Sequence, residues 1–212
     1  MERCIFRYVH NFLLKNILIT KFQLGFRPSD FAVNQLISIL NDFGKAIDDG
    51  KEIRIIFCDI SKAFDRVWHK GLLYKLKSIG IDDTVLKWFE SYLSNSRQQV
   101  VINGETSDTK SINAGVPQGS ILEPMFFLIY INDIVNNISC NTKLFADDTP
   151  LYLVVDNEYE AAEQLNKDIE SIQQWSQKWL IKFNPDKTEI MTISKKTSKT
   201  PPSPCLHGQC NY

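Results

Sequence analysis

The chain contains no apolar run long enough to span a membrane; its most hydrophobic stretch, Met125 to Ile131, has the length of a buried helix segment. A membrane-spanning helix is therefore excluded as its organising element. The five cysteines, Cys4, Cys58, Cys140, Cys205 and Cys210, are odd in number and scattered. They define no disulfide framework and suit a reducing, intracellular compartment. Cys205, His207 and Cys210 lack the fourth ligand and the usual spacing of a zinc site. Excess positive charge is also missing: 24 Lys and Arg stand against 25 Asp and Glu, a net charge of −1. Any grip on a polyanion must then come from local clusters. Lys15, Lys21 and Arg27 form an early one, and Lys187, Lys195, Lys196 and Lys199 a late one. From Lys195 onward a solvated tail is the simpler account. There is no internal repeat. The one low-complexity stretch, Lys195 to Pro204, has the composition of a disordered tail.

What is present suffices for one core. With 212 residues, 43% of them hydrophobic, the chain can bury a sizeable interior. Arg3 to Lys21 is basic and amphipathic, the composition of a transit peptide, but it runs directly into the Gln23 segment and reads as a helix of the fold. Val33, Leu36, Ile37, Leu40, Phe43 and Ile47 recur at helical spacing, with Ser29 or Asp30 as cap and Gly50 as stop. Ile53 to Cys58 is a near-continuous apolar strand. Helices follow through Leu72 to Ile79, closed by Gly80, and through Val85 to Leu93. Gln98 to Ile102 reads as a strand ending at Asn103-Gly104, a strong hairpin signal. Ser120 to Ile138 reads as helical, with Pro124 tolerated in its first turn. Residues 143–155 read as a hairpin. Ala162, Leu165, Ile169, Ile172, Trp175 and Trp179 mark a long amphipathic helix, and a last strand lies near Ile190 to Ile193. The class is α+β, and the major elements after residue 52 follow the order β-α-β-β-α-β of ferredoxin-like folds.

Three segments carry chemistry: Phe57-Cys58-Asp59-Ile60-Ser61-Lys62-Ala63-Phe64-Asp65, Val116-Pro117-Gln118-Gly119-Ser120 and Phe145-Ala146-Asp147-Asp148. Each sets polar or acidic residues at the edge of an apolar run. Asp-Asp occurs three times in the chain, so the dipeptide alone decides nothing and the flanks decide. Asp48-Asp49 precedes Gly50, a turn signal. Asp82-Asp83 opens a helix, where negative charge meets the helix dipole favourably. Asp147-Asp148 lies between two apolar strand segments, where adjacent carboxylates repel and gain the fold nothing. In the ferredoxin-like order the end of the first strand lies beside that hairpin, which makes Asp59 and Asp147 neighbours. Carboxylates from two strands can hold a pair of hard cations, which an in-line attack on phosphate requires. Their oxygens are expected within about 4–7 Å, given metals about 3.5–4 Å apart. Taken alone, Asp59 is equally well read as a strand-end turn residue.

These segments resemble the reverse transcriptase domain of non-LTR (LINE-type) retrotransposons, over about residues 1 to 195 and in the family's order. Gln23-Leu24-Gly25-Phe26-Arg27 resembles the family's fingers motif, and Asp59 to Asp65 its motif A. Gly115 to Ser120, followed by Phe127 to Ile134, resembles motif B. Phe145 to Asp148 resembles motif C, and Trp179-Leu180 with Lys182 to Glu189 resembles motif D. The resemblance implies a polymerase palm with partial fingers: fingers over 1–52, palm over 53–195 with an insert at 69–115, and a tail at 196–212. It implies RNA-directed DNA polymerisation with two Mg²⁺ ions (Mn²⁺ as a possible substitute), dNTPs, an RNA template and a DNA primer. Asp59, Asp147 and Asp148 would be catalytic and metal-holding, with the backbone of Ile60 also facing a metal. Phe64 would stack under the sugar and exclude a 2′-hydroxyl, although on the residues alone core packing is the simpler account. Gln118 and Gly119 would lie near the nucleotide. Lys187 would serve the departing pyrophosphate; a solvated turn lysine is an equal reading. Gln23 and Arg27 would belong to the template-facing fingers.

Two features depart from the resemblance. Glu123 stands where the family usually has Gly, adding bulk and negative charge at the start of the motif B helix. An early basic fingers segment, the thumb with its primer grip, and an endonuclease domain have no counterpart, so a parent polyprotein is expected to supply them. Two other functions suit the same residues: a catalytically inactive remnant that binds nucleic acid, and a metal-dependent phosphohydrolase. Gln118 and Phe64 argue against the second, since hydrolysis needs no sugar selection.

Overall fold

The computed structural model describes residues 1–23, 32–94, 96–144, 148–156 and 158–195; the side chains at 32, 34, 35, 148, 149 and 158 are not among those described. In chain order the elements are α1 (Glu2–Lys15), α2 (Ala32–Asp48), β1 (Glu52–Asp59), α3 (His69–Ser78), α4 (Asp83–Leu93), β2 (Arg97–Gln98), β3 (Val101–Ile102), β4 (Glu105–Thr106), β5 (Lys110–Ser111), α5 (Glu123–Ile131), β6 (Asn141–Thr142), β7 (Asp148–Val155), α6 (Glu158–Trp179) and β8 (Glu189–Ile193). The chain is thus mixed helix and sheet, α+β. It forms two compact units: Met1–Ile19 with Lys62–Asn132, and Thr20–Ser61 with the chain from Asp133 onward.

Local signals account for the boundaries. Gly50 and Gly80 take φ of +72° and +88°, the left-handed conformation that stops α2 and α3. The Asp82 carboxylate accepts the Thr84 amide at 2.8 Å and caps α4. Asn103 and Gly104, with φ of 52° and 87°, form the turn between β3 and β4. The expected strand at Gln98 to Ile102 is split, because β2 pairs with β5 while β3 pairs with β4.

The first unit packs α3, α4 and α5 around Leu72, Leu76, Phe89, Leu93 and Phe126, all at most 1% exposed. Phe89 meets Phe126 edge-on at 4.9 Å. All seven residues from Met125 to Ile131 are buried, so α5 is apolar all round, as a fully enclosed helix must be. Each large side chain so buried contributes about 1.5–3 kcal/mol relative to exposure. The helix is shorter than the expected Ser120 to Ile138. It begins at Glu123 and ends at Ile131, and beyond it come turns with Asn136 N–H donating to Asp133 and Asn137 at φ +68°. Asn137 takes the left-handed conformation that ends a helical path, which non-glycine residues adopt mainly when they are Asn or Asp.

The second unit carries a four-stranded antiparallel sheet in the order β6-β7-β1-β8. On one face of β1, Ile53 and Ile55 pack with Tyr152 and with Ala46, Phe43 and Ile47 of α2. The described α2 side chains engaged this way lie in its C-terminal half. Val33, Leu36, Ile37 and Leu40, expected to extend the same stripe, are 58–65% exposed. Farther along that face of β1, Phe57 is 39% exposed and Asp59 is partly open. Arg54, on the opposite face, is buried with its Nε donating to Glu52 at 3.0 Å. The expected hairpin over 143–155 is shifted and uneven: its first strand, β6, lies before residue 143 and has two residues, while β7 has eight.

Candidate active site

Asp59 ends β1, and its register partner on β7 is Asp148. Beyond Asp59 the chain keeps pairing on its other side. Ser61 donates to the Lys182 carbonyl at 2.8 Å, and Asn184 donates to the Asp59 carbonyl at 2.9 Å, flanking an antiparallel bridge between Ile60 and Phe183. This pattern makes Ile60 and Phe183 a non-hydrogen-bonded pair. The N–H and C=O of Ile60 therefore point away from 182–184, toward the β7 side. By the same alternation Asp59 and Asp148 are a non-hydrogen-bonded pair, the kind that brings Cα atoms to about 4.5 Å. Asp147 precedes Asp148 and lies outside the described residues, so its expected separation from Asp59 remains a proposal.

Lys187 approaches the same carboxylate. It closes a short 3-10 turn, Pro185–Lys187, that the Asn184 side chain caps by accepting the Asp186 amide. Its Nζ stands 3.8 Å from Asp59 Oδ2, with the lysine side chain 68% and the aspartate 28% exposed. An ion pair this open to water contributes little to stability. Cys58, the neighbour of Asp59 on the opposite face of β1, is buried, and burial pushes its thiol up to about 12. Gln23 is buried and bridges Leu144, whose amide donates to the Phe22 carbonyl at 2.8 Å. The Gln23 segment is thereby tied to the chain entering Phe145-Ala146-Asp147. Arg27 lies outside the described residues.

Phe64, Gln118 and Gly119 come together within the first unit. The loop 113–116 runs along 64–69: Gly115 donates to Val67, Val116 donates to Phe64, and His69 Nε2 lies 2.7 Å from the Gly115 carbonyl. Gly115 has φ +92°, and a Cβ there would meet the Asp65 carbonyl at 3.1 Å, so glycine is needed for both conformation and close approach. Gln118 is exposed and donates through Nε2 to Asp65 Oδ1 at 3.3 Å. The Phe64 ring is partly buried on Phe127, centroids 4.8 Å apart. Sequence reasoning missed Asp65 as the partner of Gln118. It also missed the carboxylate of Glu123 on the Gly119 amide, at 2.6 Å. Ser120-Ile121-Leu122-Glu123 has the Ser-x-x-Glu form of a capping box, a signal that was available.

Among the described residues no cluster of three or more His, Cys, Asp or Glu side chains is placed to hold a metal; the side chains of Asp147 and Asp148 fall outside that description. The donor set nonetheless suits a hard cation. Asp59 offers carboxylate oxygen and Ile60 directs its carbonyl to the β7 side, both hard oxygen donors.

Comparison with known proteins bears on this arrangement. The model of the family described as reverse transcriptase (RNA-dependent DNA polymerase) matches residues 2–204. The RNA-directed DNA polymerase from mobile element jockey of Drosophila melanogaster is 32% identical over 191 residues, covering 86% of this chain and 21% of that protein. A probable RNA-directed DNA polymerase from transposon BS of the same species is 28% identical over 204 residues, covering 92% and 22%. The chain thus spans about a fifth of the length of the curated relatives it matches. Among solved structures, apo telomerase from Candida tropicalis, truncated from its C-terminal domain, superposes with a TM-score of 0.67 at 16% identity. The match covers 93% of this chain and 41% of that one, a likeness of fold.

Proposed function

Because the chain belongs to the reverse transcriptase family, with RNA-directed DNA polymerases of non-LTR mobile elements as relatives, we propose that it carries the centre for template-directed addition of dNTPs to a primer 3′-hydroxyl. The observation that carries this reading is the register of Asp59 against Asp148 at the open end of β1. The sheet order supports assigning 53–195 to a ferredoxin-like palm: first and third strands are central, second and fourth outermost. Residues 1–52 are then fingers and 69–115 an insert.

Asp59, Asp147 and Asp148, with the Ile60 carbonyl, would hold two Mg²⁺ ions, for which Mn²⁺ can substitute. When bound, such ions lower the pKa of the attacking hydroxyl and neutralise charge on the triphosphate and leaving pyrophosphate. Lys187, exposed and adjacent to Asp59, is free to swing toward the leaving group and hold a proton at Nζ for it. Gln118, held by Asp65, orients the nucleotide, and Gly119 allows close backbone approach. Arg27 and Gln23 are assigned to the template side.

Phe64 is proposed to select the sugar by bulk, since ribose and deoxyribose differ by one oxygen. Its packing on Phe127 makes the ring a fixed wall. Phe64→Val is expected to raise ribonucleotide incorporation about tenfold, a shift of roughly 1.4 kcal/mol in selectivity. Competition between dGTP and GTP in single-nucleotide addition measures it. Loss of all activity with selectivity unchanged would return Phe64 to a packing role.

The reading is tested by primer extension on an RNA template annealed to a DNA primer, with Mg²⁺ and dNTPs at low salt and Asp147→Ala as blank. Extension is expected to be weak and salt-sensitive, because a net charge of −1 leaves phosphate contacts to a few local cations. It is expected to vanish in the blank. Binding of template-primer without extension would favour a binding remnant. Release of pyrophosphate or phosphate from dNTPs without primer growth would favour a hydrolase.

A further inference from the structure

We propose that Glu123 is a positioning residue whose carboxylate clasps the Pro117-Gln118-Gly119 turn and thereby sets the direction of Gln118; the proposal rests on the polymerase reading above. The clasp is made on both sides of the turn. Glu123 Oε2 accepts the Gly119 amide at 2.6 Å, while Glu123's own amide donates to Ser120 Oγ at 3.1 Å. Ser120 N–H returns to the Pro117 carbonyl at 3.1 Å. A second carboxylate takes the next free amide: Ile121 donates to Glu2 Oε2 at 3.2 Å, and Glu2 Oε1 in turn accepts the Tyr92 hydroxyl at 2.9 Å.

The turn needs such a hold. Residues 117–119 are exposed, and Gly119 sits at φ +79° with nothing within 4 Å of where a Cβ would be. Surrounding atoms therefore do not confine it, and glycine has more backbone freedom to lose than any other residue. The Gly119 N–H lies in the same rigid peptide plane as the Gln118 carbonyl and Cα. Fixing that N–H fixes the plane from which the Gln118 side chain departs toward Asp65, the contact at 3.3 Å. A carboxylate acceptor is suited to the task. Its hydrogen bond is charge-assisted, and its charge lies at the N-terminal end of α5, where the helix dipole favours it. The role depends on an acceptor oxygen, not on net charge, and this separates it from repulsion of nucleic-acid phosphate.

Three forms of the chain distinguish these roles: wild type, Glu123→Gln, which keeps an acceptor oxygen, and Glu123→Ala, which keeps none. Amide exchange at Gly119 is followed by NMR, and KM and kcat for dNTP by primer extension. In Glu123→Ala the Gly119 amide is expected to exchange about tenfold faster, the loss of one charge-assisted hydrogen bond. KM for dNTP should rise about fivefold with a smaller change in kcat, because orientation in the ground state is what is lost. Glu123→Gln, whose neutral acceptor makes a bond about half as strong, should bring both to within about threefold of wild type. An unchanged Gly119 amide in Glu123→Ala overturns the clasp. So does Glu123→Gln exchanging as fast as Glu123→Ala. Tighter template-primer binding by both variants, with KM for dNTP unmoved, assigns the residue to charge repulsion instead. If the wild type extends no primer, the polymerase reading fails by itself, and the exchange measurement still decides whether Glu123 holds the turn.

Discussion

Asp59→Asn is expected to lower the rate of primer extension at least about a thousandfold, a loss of roughly 4 kcal/mol of transition-state stabilisation, with the melting temperature nearly unchanged. The substitution is nearly isosteric and leaves the backbone pairing of β1 with β7 and with 182–184 in place. What it removes is charge. For the fold that loss is close to neutral. Asp59 is partly open to water, and its ion pair with Lys187 is too exposed to add much stability. For the proposed chemistry the loss is severe, since a neutral amide is a poor ligand for a hard cation. Single-turnover extension and a thermal melt on the same preparation check both halves. Extension within tenfold of wild type would remove Asp59 from the site. A marked fall in melting temperature would show instead that the carboxylate serves the fold.

Asp168→Ala is expected to destabilise the second unit by about 3 kcal/mol, the sum of several lost acceptor contacts at about 1 kcal/mol or more each. Asp168 lies on α6 and is fully buried. Its carboxylate accepts the Ser139 amide at 3.0 and 3.1 Å, the Cys140 amide at 2.7 Å and the Gln164 side-chain amide at 3.1 Å. Alanine leaves those donors in a site closed to water. The melting temperature should fall by roughly 6–12 °C, at about 2–4 °C per kcal/mol for a chain of this size. Residues 139–140 lead directly into β6, which pairs with β7, so the same substitution should speed amide exchange across β6 and the end of β7 it pairs with. Asp168→Asn, which keeps one acceptor oxygen, should lose less. A shift under about 2 °C in Asp168→Ala would mean that water or a rearranged 139–140 segment replaces the carboxylate.

The residue shows how far contiguous sequence carries. The stripe on α6 was legible from Leu165, Ile169, Ile172 and Trp179, all buried. Asp168 stands in that stripe, one position from Ile169, and nothing local says that its carboxylate turns inward to cap the chain before β6. Glu123 is similar. Its Ser-x-x-Glu pattern announced a cap, but the amide it takes is that of Gly119, one residue earlier than a standard box uses. The end of α5 is less legible than its burial, because the apolar run continues in character to Ile138 while the helix stops at Ile131 and the chain turns through Asn137 at positive φ.

By itself the sequence determined the α+β class, the order of the long helices and strands, the Asn103-Gly104 turn, the glycine stops at Gly50 and Gly80, and the three acidic and glycine-bearing segments. All of these depend on period and turn chemistry among adjacent residues. Tertiary structure decided which distant groups meet. It set Asp148 opposite Asp59, brought Lys187 to that carboxylate, and laid the Gln118 loop along Phe64 and Asp65. It also left Val33, Leu36, Ile37 and Leu40 of α2 exposed although their stripe reads as buried. The physical reason is register. A slip of one residue between β1 and β7 would keep every local propensity intact and move Asp59 off its partner, so only the packing of the whole sheet could select this pairing.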